Sequence, residues 1–203
     1  MSLPWRTLGV AGAALVVSAW PAAQQALWLP TEGWAAQPWR LLTSHLVHHG
    51  STHLLWDLGA FVVLGVALEL LSPGRLLAVL GVGALCVGLA MGTLLPANGV
   101  FAGLSGIDAA LFLALAAGLA RGDGADRWLG WGMGVAFGAK VAWELASGGV
   151  LFAGSEGVVH APVAHLVGAV AGLVVGLRGQ GSGRSSIQAV RSLAGTVPSS
   201  PES

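Results

Sequence analysis

The chain has no tyrosine, one cysteine and little charge: of its 203 residues only 9% are Asp, Glu, Lys or Arg. A single cysteine, Cys86, excludes an internal disulfide, and its place in an apolar run marks it as a packing residue. Soluble domains carry about a quarter charged residues, so charge this sparse argues against a water-soluble fold. Nine basic residues against nine acidic ones leave no basic field, which argues against nucleic acid as a partner. What fills the chain instead is apolar: 55% of residues are hydrophobic and the mean hydropathy is +0.76. The 32 glycines suit closely packed transmembrane helices, where a missing side chain lets backbones approach. The expected class is an all-α membrane protein with the lipid bilayer as its surroundings.

Six apolar segments are predicted as helices: Leu8 to Leu29, Leu54 to Leu71, Leu76 to Leu95, Ser105 to Ala120, Trp128 to Leu145 and Ala161 to Leu177. Each is near the length that crosses about 30 Å of hydrocarbon, with the shorter ones suited to a cavity. Ser72-Pro73-Gly74, Pro96-Ala97-Asn98-Gly99 and the stretch Arg121 to Arg127 read as the turns between them. One six-helix domain over 1–177 is expected, followed by a polar, Gly- and Ser-rich disordered cytoplasmic tail over 178–203. With both termini inside, the cytoplasmic pieces hold Arg6, Arg75, Arg121, Arg127, Arg178, Arg184 and Arg191, against Arg40 alone outside. That bias follows the retention of positive charge in the cytoplasm. It places Ser105 and His165 on the same, outer side. The alternative for the first segment, with Arg6, an apolar run and Ala22-Ala23, is a cleaved signal peptide. Trp28, Trp34 and Trp39 behind it read as interfacial anchors.

Polar groups at lipid depth are costly, so those present are functional candidates. Ser105 lies between glycines in Gly103-Leu104-Ser105-Gly106, at a helix start where its own N–H and that of Leu104 are free to receive an oxyanion. The competing reading is an N-cap, with Asp108 closing an S-x-x-D capping box. His165 is followed by Gly168, Gly172 and Gly176, a flat helix face against which a neighbour bearing a serine can pack closely. A Ser–His dyad explains the two together better than a cap and a structural histidine do. His45, His48, His49, His53 and Asp57 form a third cluster, in which His53 and Asp57 share a helix face that can line a cavity opposite Ser105. His45, His49 and His53 also share a face, but with no H-E-x-x-H and no cysteine partner a metal site is set aside, and His45 and His49 are read as interfacial hydrogen-bonding residues. No metal or cofactor is expected. Lys140 and Glu144, an i,i+4 pair inside the fifth helix, read as mutually neutralising, with exposure to a substrate path as the alternative.

The run Pro38-Trp39-Arg40-Leu41-Leu42-Thr43-Ser44-His45-Leu46-Val47-His48, continuing to His53, Asp57 and Glu69, resembles the first loop and second helix of the rhomboid intramembrane serine proteases. Gly103-Leu104-Ser105-Gly106 resembles their nucleophile motif, and Ala164-His165-Leu166-Val167-Gly168-Ala169-Val170-Ala171-Gly172 their histidine helix. The resemblance implies a six-transmembrane-helix bundle with a water-filled cavity, in which Ser105 attacks a peptide carbonyl and His165 serves as base and then acid. It also implies an oxyanion site from a histidine and an asparagine of the second helix, which map to His53 and Asp57, together with the Leu104 N–H. The chain departs from the family here. An ionised Asp57 donates no hydrogen bond, so it must be protonated, orient His53, or stand aside. The aromatic that commonly stacks on the histidine is replaced by Ala109.

The compact chain, without a soluble N-terminal domain, and its H-x4-H-x3-D form resemble the rhombosortase branch. That implies cleavage of C-terminal glycine-rich membrane anchors of exported proteins in the bacterial inner (cytoplasmic) membrane, with membrane-anchored proteins as partners. A general rhomboid protease acting on other single-pass proteins would use the same dyad. An inactive rhomboid-like binding protein should lack the serine or the histidine, and a transporter should show inverted broken-helix pairs.

Overall fold

A computed structural model describes residues 3–96, 98–149 and 161–178. Among these the chain is helical apart from one two-residue strand pair. The order is α1 (Trp5–Ser18), α2 (Pro21–Leu27), β1 (Leu29–Pro30), α3 (Arg40–Thr43), α4 (Ser51–Leu71), α5 (Pro73–Leu94), β2 (Val100–Phe101), α6 (Ser105–Leu119), α7 (Ala125–Ser147) and α8 (Ala161–Arg178). Short 3₁₀ turns at Trp34–Ala36 and Ser44–Leu46 lie to either side of α3.

The first predicted segment is corrected. Instead of one span from Leu8 to Leu29, α1 and α2 meet at an angle of 112°. Pro21 opens α2 and forces Trp20 into extended backbone (φ −126°, ψ 93°), so the helix cannot run through. The other five predicted segments match α4, α5, α6, α7 and α8 to within a few residues at each end. Only Ser72 separates α4 from α5, because Pro73 lacks an N–H and suits a first helical position, so the expected Ser-Pro-Gly turn is mostly helix.

Among the described residues two helices, Ser51–Leu71 and Pro73–Leu94, are long and apolar enough to cross a membrane, or three if the bent α1–α2 pair counts as one. Ser105–Leu119 and Pro162–Arg178 are shorter apolar helices. α7, expected as a span, is the longest helix among the described residues but is not in this group; it carries Asp126, Arg127, Lys140 and Glu144. The burial pattern is inverted relative to a soluble protein. His45, His48, His53, Asp57, Glu144 and His165 are all buried, whereas Leu55, Val63 and Val135 stand about 70% exposed. Apolar side chains facing outward over polar ones facing inward suit a lipid solvent, and the chain is a multi-pass membrane protein by its apolar helices.

Three devices hold the frame. Glu69, near the end of α4, accepts from Arg6 N–H (3.1 Å), Thr7 N–H (2.9 Å) and the Thr7 hydroxyl (2.8 Å), satisfying otherwise unpaired donors at the start of α1. Arg121 donates to the carbonyls of Gly176 (3.0 Å) and Leu177 (2.8 Å) in the last turn of α8, where a basic side chain is a favourable partner for helix carbonyls. Between them α8 lies flat on α6. A Cβ at Gly168 would overlap the Gly106 carbonyl, and one at Gly172 the Ala110 carbonyl. At Gly176 it would come within 3.0 Å of Ala114 Cα. The glycine ladder therefore brings the two backbones into direct contact, the approach that small residues permit between membrane helices.

Candidate active site

The segment leading into α6 is built by close approach. Phe101 pairs with Leu29 and Val100 with Pro30 in an antiparallel register, which anchors the segment to the α2–α3 connection. Gly103 then turns with φ +127°, a conformation that favours glycine, and a Cβ there would lie 2.9 to 3.1 Å from His53 and Asp57. Its N–H donates to the Ser44 carbonyl (3.2 Å). Its carbonyl lies 3.1 Å from His45 Nδ1, while His45 Nε2 lies 3.0 Å from the Ala84 carbonyl on α5. His45 is thus a buried pin between two elements and not the interfacial residue expected from sequence. Burial holds its pKa below 6.5, opposed by the backbone carbonyls around it, so the ring is neutral and its one N–H serves one carbonyl at a time.

Ser105 is not a cap. Leu104 occupies the N-cap position with helical dihedrals and no side-chain capping bond, and Ser105 is the first helical residue. The expected capping partner Asp108 is buried, with its Oδ1 unpartnered among the described residues. The helix-start donors are satisfied from α4 instead. Asp57 Oδ2 accepts from Leu104 N–H (3.0 Å) and Ser105 N–H (3.1 Å). His53 Nε2 lies 3.1 Å from the same oxygen. The tautomer of His53 follows from its other nitrogen: Nδ1 accepts from the His49 backbone N–H at 3.3 Å, so the proton sits on Nε2 and points at Asp57. Three N–H donors therefore converge on one point beside Ser105, and a carboxylate oxygen occupies it. Such a point can hold a negatively charged oxygen.

A second imidazole stands against the same carboxylate, with His48 Nε2 3.5 Å from Asp57 Oδ2. The sequence flagged His48 as one of a cluster without assigning it a contact. His49 is exposed, with its ring stacked on His53 at 6.3 Å between centroids. Desolvation of the stacked ring, and the neighbouring His53 and His48, hold its pKa below 6.5.

His165 reaches this region through the α6–α8 contact. A Cβ at Gly106 would lie 3.2 Å from the Ala164 carbonyl, so Ser105 and His165 each flank the same backbone contact. The Nδ1 face of His165 is occupied from α7, with Glu144 Oε2 at 2.9 Å and Lys140 Nζ at 3.1 Å. Lys140 donates to Glu144 Oε1 at 2.7 Å. The pair read from sequence as mutually neutralising does pair, but it also meets the histidine, which spacing along α7 alone does not reveal. Among the described residues no group of three or more His, Cys, Asp or Glu is arranged to hold a metal ion.

The family model described as the rhomboid domain matches residues 35–180, well over half of the chain, including His53, Asp57, Ser105, Glu144 and His165. The chain belongs to the rhomboid family. No curated protein matches it by sequence.

Proposed function

We propose that this rhomboid, from a family whose members are commonly serine proteases, is an intramembrane serine endopeptidase in which Ser105 is the nucleophile and His165 the general base. The observation that carries the reading is the convergence of the Leu104, Ser105 and His53 N–H groups on one point at the Ser105 backbone. An acyl-transfer site needs that arrangement, because fixed donors stabilise the oxyanion that forms when serine attacks a carbonyl. A helix of 15 residues covers about 22 Å, less than the hydrocarbon thickness. Ser105 at its start then suits a cavity sunk below the membrane surface, where irregular backbone such as 102–104 is tolerated if it lines that cavity.

Asp57 holds the oxyanion position in the resting enzyme. Two negative oxygens cannot share one set of donors, so the carboxylate yields or takes up a proton as substrate enters. Loss of one oxyanion donor costs about a hundred- to a thousandfold in rate, and this is the expected loss of turnover for His53→Ala. Asp57→Asn keeps an acceptor for the helix-start N–H groups and removes the competing charge, so its turnover should equal or exceed that of the parent. Steady-state cleavage of a membrane-anchored reporter ranks the two, and the reverse ranking would give Asp57 a direct part in the chemistry.

The substrate class we propose is that of the rhombosortase branch: C-terminal anchors with a glycine-rich motif, an apolar helix and a basic end. It is supported by the spacing of His48, His53 and Asp57. The reading includes one six-helix domain over 1–177, termini on the cytoplasmic side of the bacterial inner membrane, and release of product on the outer side. A scissile segment must unwind to present its carbonyl, and glycine weakens a helix by about 1 kcal/mol relative to alanine. A reporter with this tail should be cut, and replacing its glycines by leucine should slow release more than exchanging apolar residues deeper in the anchor. Cleavage of other single-pass reporters with none of the glycine-tail reporter would return the protein to a general rhomboid protease.

A further inference from the structure

We infer that Glu144 is the positioning residue for His165, so that the site works as a Ser105–His165–Glu144 relay with Lys140 as the counter-ion that holds the carboxylate in place; this rests on the serine protease reading above. The competence of His165 as a base turns on whether its Nδ1 carries the ring proton. Two groups contact that nitrogen, a carboxylate oxygen at 2.9 Å and an ammonium at 3.1 Å. An ammonium is a donor only. If Lys140 donated to Nδ1, the ring proton would sit on Nε2, and that nitrogen could not accept the proton of a serine. If Nδ1–H donates to Glu144, the Nε2 lone pair is free for it. The two neighbours thus select opposite tautomers, one competent as a base and one not.

The geometry favours the competent one. Lys140 makes its shorter contact with Glu144 Oε1 at 2.7 Å, leaving Oε2 of the same carboxylate for the imidazole. Each oxygen of the carboxylate therefore has its own partner. Glu144 is fully buried, and a buried carboxylate is stable only when paired and hydrogen-bonded. The Lys140 side chain, 21% exposed, supplies the pairing from one turn earlier on α7. As Ser105 gives up its proton, the imidazolium that forms meets the carboxylate at the nearer distance, which is the task of the third residue in a serine protease triad.

The alternative is that Glu144 does no more than neutralise Lys140. Glu144→Gln and the charge-free pair Lys140→Met/Glu144→Gln separate the two, since the double variant leaves no buried lysine to neutralise and no orphaned charge to unfold the protein. Under the relay both should lose about a hundred- to ten-thousandfold in kcat with KM changed less than about threefold, the range expected when a base is held in the wrong tautomer. Labelling of Ser105 by a fluorophosphonate should slow in parallel. In histidine-labelled protein the ¹⁵N shifts of His165 should move from the Nδ1–H to the Nε2–H form. If the double variant turned over within threefold of the parent with the His165 shifts unchanged while Ser105→Ala was inactive, the relay would be overturned and the protease reading would stand. Turnover retained by Ser105→Ala would overturn the protease reading itself.

Discussion

Ser105→Ala, His165→Ala and the double variant are expected to fall to one common floor, about 10⁴- to 10⁶-fold below the parent in turnover of a membrane-anchored reporter. The losses should not add, because a nucleophile without its base and a base without its nucleophile leave the same residual: the oxyanion donors and binding alone. The donors themselves survive both substitutions, since two of them are the backbone N–H groups of Leu104 and Ser105. A fluorophosphonate probe gives the independent readout, labelling the parent at Ser105 and the Ser105→Ala variant not at all. Near-normal turnover by His165→Ala would dissolve the unit.

Gly172→Val should have the second large effect, on the fold itself. A Cβ at this position overlaps the Ala110 carbonyl, and backbone cannot rotate aside as a flexible side chain can. Overpacking a tight core costs about 1 to 3 kcal/mol and at times more. Here α8 must also slide or tilt off α6, which moves His165 relative to Ser105. The expected result is a lowered thermal midpoint in detergent together with lost turnover. Gly138 of α7 provides the contrast, because nothing lies within 4 Å of a Cβ built there. Gly138→Ala should raise stability by about 0.5 to 1 kcal/mol through backbone entropy. If Gly172→Val melted as the parent does, the direct backbone contact between α6 and α8 would not be supporting the fold.

Much of this protein was legible along the chain because the relevant physics is local. Scarce charge and long apolar runs identify a helical membrane protein from composition alone. The bounds of α4, α5, α6 and α8 follow from where apolar runs stop. The four-residue spacing of Gly168, Gly172 and Gly176 marks one helix face suited to close packing, and Ser105 between glycines and His165 before that face are the polar residues the pattern singles out.

Other features depend on where distant elements meet, and only the tertiary structure decided them. The bend after α1 turned on the extended backbone before Pro21, within an apolar run that hydropathy read as continuous. Whether Ser105 was a cap depended on what reached the α6 N–H groups, and that was Asp57, 48 positions earlier, instead of Asp108 three positions on. The partner of His165 came from α7, 21 positions away, and was hidden by an i,i+4 pair that looked self-sufficient. Periodicity says which residues share a face of one helix. It does not say how that helix is rotated against its neighbours, and the rotation decides which buried nitrogen meets which buried oxygen.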